Sequence, residues 1–182
     1  MGLSVEAMAI EMPAVDGHPN RVGFRGVLTL VDAISDKAPT GGRGHRVFLT
    51  RKAAEAAIPS LLGMALDYSP SWNAHDAKRK IGVITHAEVV GWEIVIGGFL
   101  YGHDFPEVIK QIEGPVFPVE DADGNVRAIR DELGMSYEVT DVWVEDIRAS
   151  IWVLNKVTFT GAAVLRRDKA AYRSTWIELE EQ

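Results

Sequence analysis

Two neighbouring stretches, SYEVTDVWV (136–144) and SIWVLNKVTFTG (150–161), decide how this chain is read. Each is rich in β-branched and aromatic residues over a strand's length, and the acidic residues between them supply a turn near Asp146. They predict an antiparallel pair. Side chains alternate along a strand, so Ser136, Glu138 and Thr140 share one face while Tyr137, Val139 and Trp143 share the other. A turn near 146–148 sets Ser136 opposite positions 157–159. On the second strand Ile151, Val153, Val157 and Phe159 form an apolar face that Asn155 interrupts, and a lone amide there needs a hydrogen-bond partner.

Upstream, RVGFRGVLTLVDA (21–33) reads as a strand, with Gly23 and Gly26 marking a bulge or close packing. The first twenty residues are an irregular or weakly paired opening segment, and SDKAPTGGRGHR (35–46) is a glycine-rich loop without the GK[ST] ending or GxGxxG spacing of phosphate cradles. Thr50 caps an alanine-rich helix that Pro59 kinks or ends. After the polar loop SWNAHDAKRK, the strands IGVITHAEVV (81–90) and WEIVIGGFLYG (92–102) join as a hairpin around Gly91. DFPEVIKQI opens a short helix, with Asp104 as its cap and Pro106 in its first turn. EDADGNVRAIRDELG reads as an acidic turn and a helix stopped by Gly134, RRDKAAYRS as a last helix or turn, and 176–182 as an acidic tail. Strands interleaved with short helices give an α+β fold, a mainly antiparallel sheet or barrel with short helices around it.

The chain has 182 residues, 47% apolar and 25% charged, which suits one domain over 1–182 with a substantial core. No apolar run is long enough for a membrane span, and the N-terminus lacks a basic region ahead of an apolar stretch. Cysteine is absent, which excludes disulfides, thiolate metal sites and a cysteine nucleophile. The net charge of −7 and the lack of any basic cluster beyond KRK (78–80) argue against nucleic acid as a main partner. No cofactor is implied.

Ser136 is either a wet polar residue on a strand or a nucleophile, and a serine becomes a nucleophile only with a base within hydrogen-bond reach. Among five histidines, His18 and His45 lie in loops, His86 lies within a strand, and His103 precedes a helix. His75 sits in a polar loop directly before a strand, from which an imidazole can project over a sheet. On composition alone its pairing with Ser136 is one choice among several. Asn155 is a candidate for a third, orienting group, equally readable as a structural amide; Asp141, Glu145 and Asp146 are acidic alternatives nearby.

HDAKRKIGVITHAEVVGWEIVIGGFLYGHDFPEV, then LGMSYEV, then WVLNKVTFTGAAVLRRDKAAY together resemble the prohead maturation protease family of tailed bacteriophages, distant relatives of the herpesvirus assemblins. The resemblance covers roughly 20–175. It rests on His75 followed by Ile81-Gly82, on Ser136 opening a strand 61 residues later, and on Ala162-Ala163 after VTFTG. It implies a herpesvirus-protease-like fold and a serine endopeptidase, with Ser136 as nucleophile and His75 as general base. The implied substrates are scaffold and capsid proteins, and the implied place is the interior of a procapsid in the host cytoplasm. It also implies a possible homodimer and a supporting role for Arg166 or Arg167 at the oxyanion. The sequence departs from the family's pattern at the third member, where Asn155 stands on a strand that carries an acid or a histidine in relatives.

Three other readings remain on the sequence alone. One is a catalytically inactive protease-fold protein of the procapsid or virion. Another is a metal hydrolase that would need His75, Asp76, His86, His103 and Asp104 to converge. The last is a calcium loop at DADGN (121–125), against which stands Val126 where such a loop needs glycine.

Overall fold

The computed structural model describes residues 8–13, 17–114, 116–120, 126–130 and 133–180. The DADGN stretch lies outside them. The described strands in chain order are β1 (Met8–Ala9), β2 (Arg21–Leu30), β3 (Arg46–Leu49), β4 (Ala65–Tyr68), β5 (Lys80–Val90), β6 (Glu93–Tyr101), β7 (Val116–Glu120), β8 (Val126–Arg130), β9 (Leu133–Val144), β10 (Ile151–Arg166) and β11 (Trp176–Leu179). Two α-helices, α1 (Arg51–Ala57) and α2 (Pro106–Glu113), lie among them.

The main sheet runs β11-β2-β6-β5-β4-β10, with β9 on the far edge of β10. Most neighbours are antiparallel; β3 and β4 run parallel to successive parts of β10, and β1 adds a short pairing to β5. The sheet curls into a half-barrel. The curl brings the start of β9 back to β2, where the Met135 sulfur lies 2.9 Å from where a Cβ on Gly26 would stand. The Trp176 carbonyl stands closer still to that point, so a side chain at position 26 would strike backbone and only glycine fits. Phe24, Leu28, Ile84, Ile96, Leu100 and Met135 fill the interior and are almost wholly buried.

Local chemistry accounts for several elements as expected. Thr50 accepts a hydrogen bond from the Ala53 amide and caps α1, whose Ala53, Ala54 and Ala57 are buried. β5 and β6 form the hairpin around Gly91, which takes φ +56°.

Other expectations are corrected. β8 is a strand paired with β7, not a helix, because its register with β7 satisfies the backbone along its whole length. The acidic tail contributes β11, which pairs with β2, buries Ile177 and joins Glu178 to Arg25. Asp104 does not cap α2. Phe105 holds the cap position because Pro106 forces the residue before it out of the helix, and Asp104 instead accepts from the Asn20 amide at 2.8 Å.

The β9–β10 pair forms as expected, but Ser136 lies opposite Ala163, not 157–159. The turn is wider than the sequence suggests: its first rung is Val144↔Leu154, while Ile151–Leu154 pair with β3 on the other edge. Trp143 also leaves the face of Tyr137 and Val139. Between Thr140↔Thr158 and Trp143↔Lys156 β9 carries an extra residue, with Asp141 at φ +52°, and Trp143 ends 56% exposed.

Candidate functional site

The outer face of β9 carries Ser136, half-buried, between the core-facing Met135 and Tyr137. The loop from β4 to β5 folds over it. His75 Nε2 lies 3.2 Å from Ser136 Oγ, at the long end of a hydrogen bond. On the other side of the ring, His75 Nδ1 lies 3.5 Å from Asp67 Oδ2, an ion-pair distance, and this buried nitrogen makes no closer hydrogen bond. Ser136, His75 and Asp67 thus stand in line: hydroxyl, imidazole, carboxylate.

Asp67 is the residue the sequence reading missed. It sits on β4 between the buried Leu66 and Tyr68 and is 2% exposed. Its Oδ1 accepts from the Asp76 amide at 2.9 Å, and Lys80 Nζ reaches its Oδ2 at 3.5 Å. Burial pushes its carboxyl up, but the His75 ring beside it, the hydrogen bond from the Asp76 amide and the nearby Lys80 ammonium outweigh that. The net effect holds it below its ordinary value, so Asp67 is ionised wherever the imidazole can act as a base. A signal was present in the sequence: an aspartate inside the apolar run MALDY demands a partner.

The loop that delivers His75 is fastened at several points. Tyr68 packs on Trp72 with ring centroids 4.9 Å apart, and the Trp72 carbonyl accepts from the Arg166 amide at 2.8 Å. The Tyr68 hydroxyl donates to Glu107 on α2 at 2.6 Å. Arg79 Nε lies 3.3 Å from Asp76 Oδ2 at the loop's end.

Asn155 stands apart from this line. It lies eight residues before Ala163 along β10, about 26 Å of extended strand from the rung of Ser136. Asp141 accepts from Thr158 Oγ1 at 3.2 Å at that same distant end, and Glu145 and Asp146 are exposed in the turn. Arg166 and Arg167 lie nearer. Arg166 is opposite Leu133, exposed, with its guanidinium on both carboxylate oxygens of Asp168 at 3.0 and 3.3 Å. It is turned to that pair and not to Ser136. Arg167 packs its backbone over Gly134, two residues before Ser136: a Cβ on Gly134 would lie 3.1 Å from the Arg167 Cα. Both arginines, with Ser71, Trp72, Gln111, Leu133 and Asp168, border a cleft of about 560 Å³ beside the His75 loop.

The other histidines are engaged elsewhere. His45 stacks on Trp152 at 4.7 Å, His86 faces Glu88 at 3.1 Å, His18 accepts from the Asn20 amide, and His103 faces Asp104. The residues of the metal reading do not converge. Among the described residues no three His, Asp or Glu side chains are placed to hold an ion.

Comparison with protein-family models, with curated proteins and with solved structures gives no match. The functional argument therefore rests on geometry and chemistry.

Proposed function

We propose that this chain is a serine endopeptidase with Ser136 as nucleophile, His75 as general base and Asp67 as the orienting carboxylate. The observation that carries the reading is the line from Ser136 Oγ to His75 Nε2 at 3.2 Å, backed by a buried carboxylate on Nδ1. With Asp67 ionised, Nδ1 carries the imidazole proton and Nε2 presents its lone pair to the serine hydroxyl. His75 takes that proton as Ser136 attacks the scissile carbonyl, and returns it to the leaving amine as the acyl-enzyme forms. Water, deprotonated by the same imidazole, then releases the acyl group. The Arg166 guanidinium is engaged by Asp168 and leaves the oxyanion to backbone amides near Ser136.

The choice of peptide substrates, and of scaffold and capsid proteins within a phage procapsid, is supported by the resemblance around His75, Ser136 and Ala162-Ala163. The same resemblance supports a herpesvirus-protease-like fold.

The test is labelling with a fluorophosphonate. Wild type should label stoichiometrically, and Ser136→Ala and His75→Ala, folded by circular dichroism, should not. Folded wild type that stays unlabelled, both in dilute buffer and under crowding, would favour the inactive procapsid protein instead.

A further inference from the structure

Asp67 does not face His75 alone. Its Oδ2 lies 3.5 Å from His75 Nδ1 and also 3.5 Å from Lys80 Nζ, so one carboxylate oxygen is shared between an imidazole and an ammonium. The sharing is built into the ladder. β4 and β5 pair Ala65 with Val83 and Leu66 with Gly82, and an unbroken register would set Asp67 against Ile81. The register slips by one residue there, and Asp67 pairs with Lys80. The slip sends Ile81 into the core, fully buried, and turns Lys80 toward the carboxylate. The Lys80 side chain stays 42% exposed, so its stem lies on the protein while its head remains partly in water.

We propose that Lys80 is a positioning residue of this site: it shares the charge of Asp67 with His75, so that the carboxylate orients the imidazole without locking it in its protonated form. The inference rests on reading Ser136, His75 and Asp67 as hydrolytic machinery. A buried carboxylate with no other counter-charge favours the imidazolium beside it, and an imidazolium cannot accept the serine proton. An ammonium at the same oxygen offsets part of that attraction. The other titratable and charged groups nearby have contacts of their own or lie off the shared oxygen. Arg79 faces the Asp76 carboxylate, Tyr68 donates to Glu107 on α2, and the Glu138 carboxylate on β9 lies over Gly161. Lys78 is exposed, and only its backbone amide bonds to Asp76.

The test follows the protonation of the His75 ring by ¹⁵N NMR against pH, without substrate, in wild type, Lys80→Met and Lys80→Arg. The acid limb of the fluorophosphonate labelling rate is measured on the same proteins. In Lys80→Met both the ring's protonation midpoint and the acid limb should move to higher pH by about one unit. Lys80→Arg should restore the wild-type positions. Should Lys80→Met fail to fold, Lys80→Gln, which also lacks the charge, should show the same upward move. A midpoint unchanged in a folded neutral variant would overturn the proposal, as would an acid limb that stays in place while labelling persists. A midpoint that moves in a protein that never labels would leave the charge sharing standing and sink the hydrolase reading instead.

Discussion

The two ends of the β9–β10 ladder are built differently from the same pair of strands. From Glu138↔Gly161 to Leu133↔Arg166 the register is unbroken, the inner face is buried in the core, and Ser136 stands on the outer face. Beyond it the ladder shifts between Phe159 and Gly161 and twice more before Leu154, and Val142, Trp143 and Ile147 are exposed. An unbroken ladder against a packed core fixes where each side chain points. A bulged arm in water does not. A hydroxyl that must meet an imidazole within a few tenths of an ångström therefore belongs at the first end, and Asn155, at the second, has no such support.

The largest expected effect tests that contrast directly. Asp67→Asn should lower the fluorophosphonate labelling rate by about 10³- to 10⁴-fold, since a neutral amide neither fixes the tautomer nor stabilises the imidazolium. Asn155→Ala should stay within about threefold of wild type. Equal losses in the two variants would mean that the distal arm takes part in the site after all.

Next is packing at the regular end. A Cβ on Gly134 would lie 2.7 Å from Thr175 Oγ1 and 3.1 Å from the Arg167 Cα. Thr175 is buried and accepts from the Met135 amide, so it has little room to yield. Gly134→Ala should cost about 1–3 kcal/mol by urea midpoint and should slow labelling as β9 shifts. A smaller effect comes from acid. The folded Asp67 carboxyl titrates below its unfolded value of about 3.9, so its contribution to stability is complete above that pH and is lost as pH falls through the lower folded value. The stability difference between wild type and Asp67→Asn, from denaturant midpoints across that range, should change in that window. The smallest effect belongs to the arm: Trp143→Ser should shift the midpoint by no more than about 0.5 kcal/mol.

Much of this was legible in the sequence where the signal is local. The Gly91 hairpin, the Thr50 cap and the strand beginning around Ser136 follow from turn chemistry, capping and alternation within a dozen residues. Asp104 failed as a cap by one position, because Pro106 restricts the residue before it and not the one before that. The helix expected over part of 126–130 failed because pairing with β7 overrides local preference. The acidic tail failed for a related reason: Glu178 is exposed and paired to Arg25, while its neighbour Ile177 is buried, an alternation too short to stand out among glutamates.

The sequence by itself determined that this is a mainly β chain with a core, that it has no thiol chemistry, and that Ser136 and His75 are the residues to watch. Those properties depend on composition and on periodicity within single strands. Only the tertiary structure decided that Asp67, eight residues before His75 and 69 before Ser136, completes the line, and that Asn155 does not. Which residues meet across strands depends on register, and register here is set by bulges, by the width of the β9–β10 turn, and by the curl of the sheet. None of these is written in any one stretch of the chain.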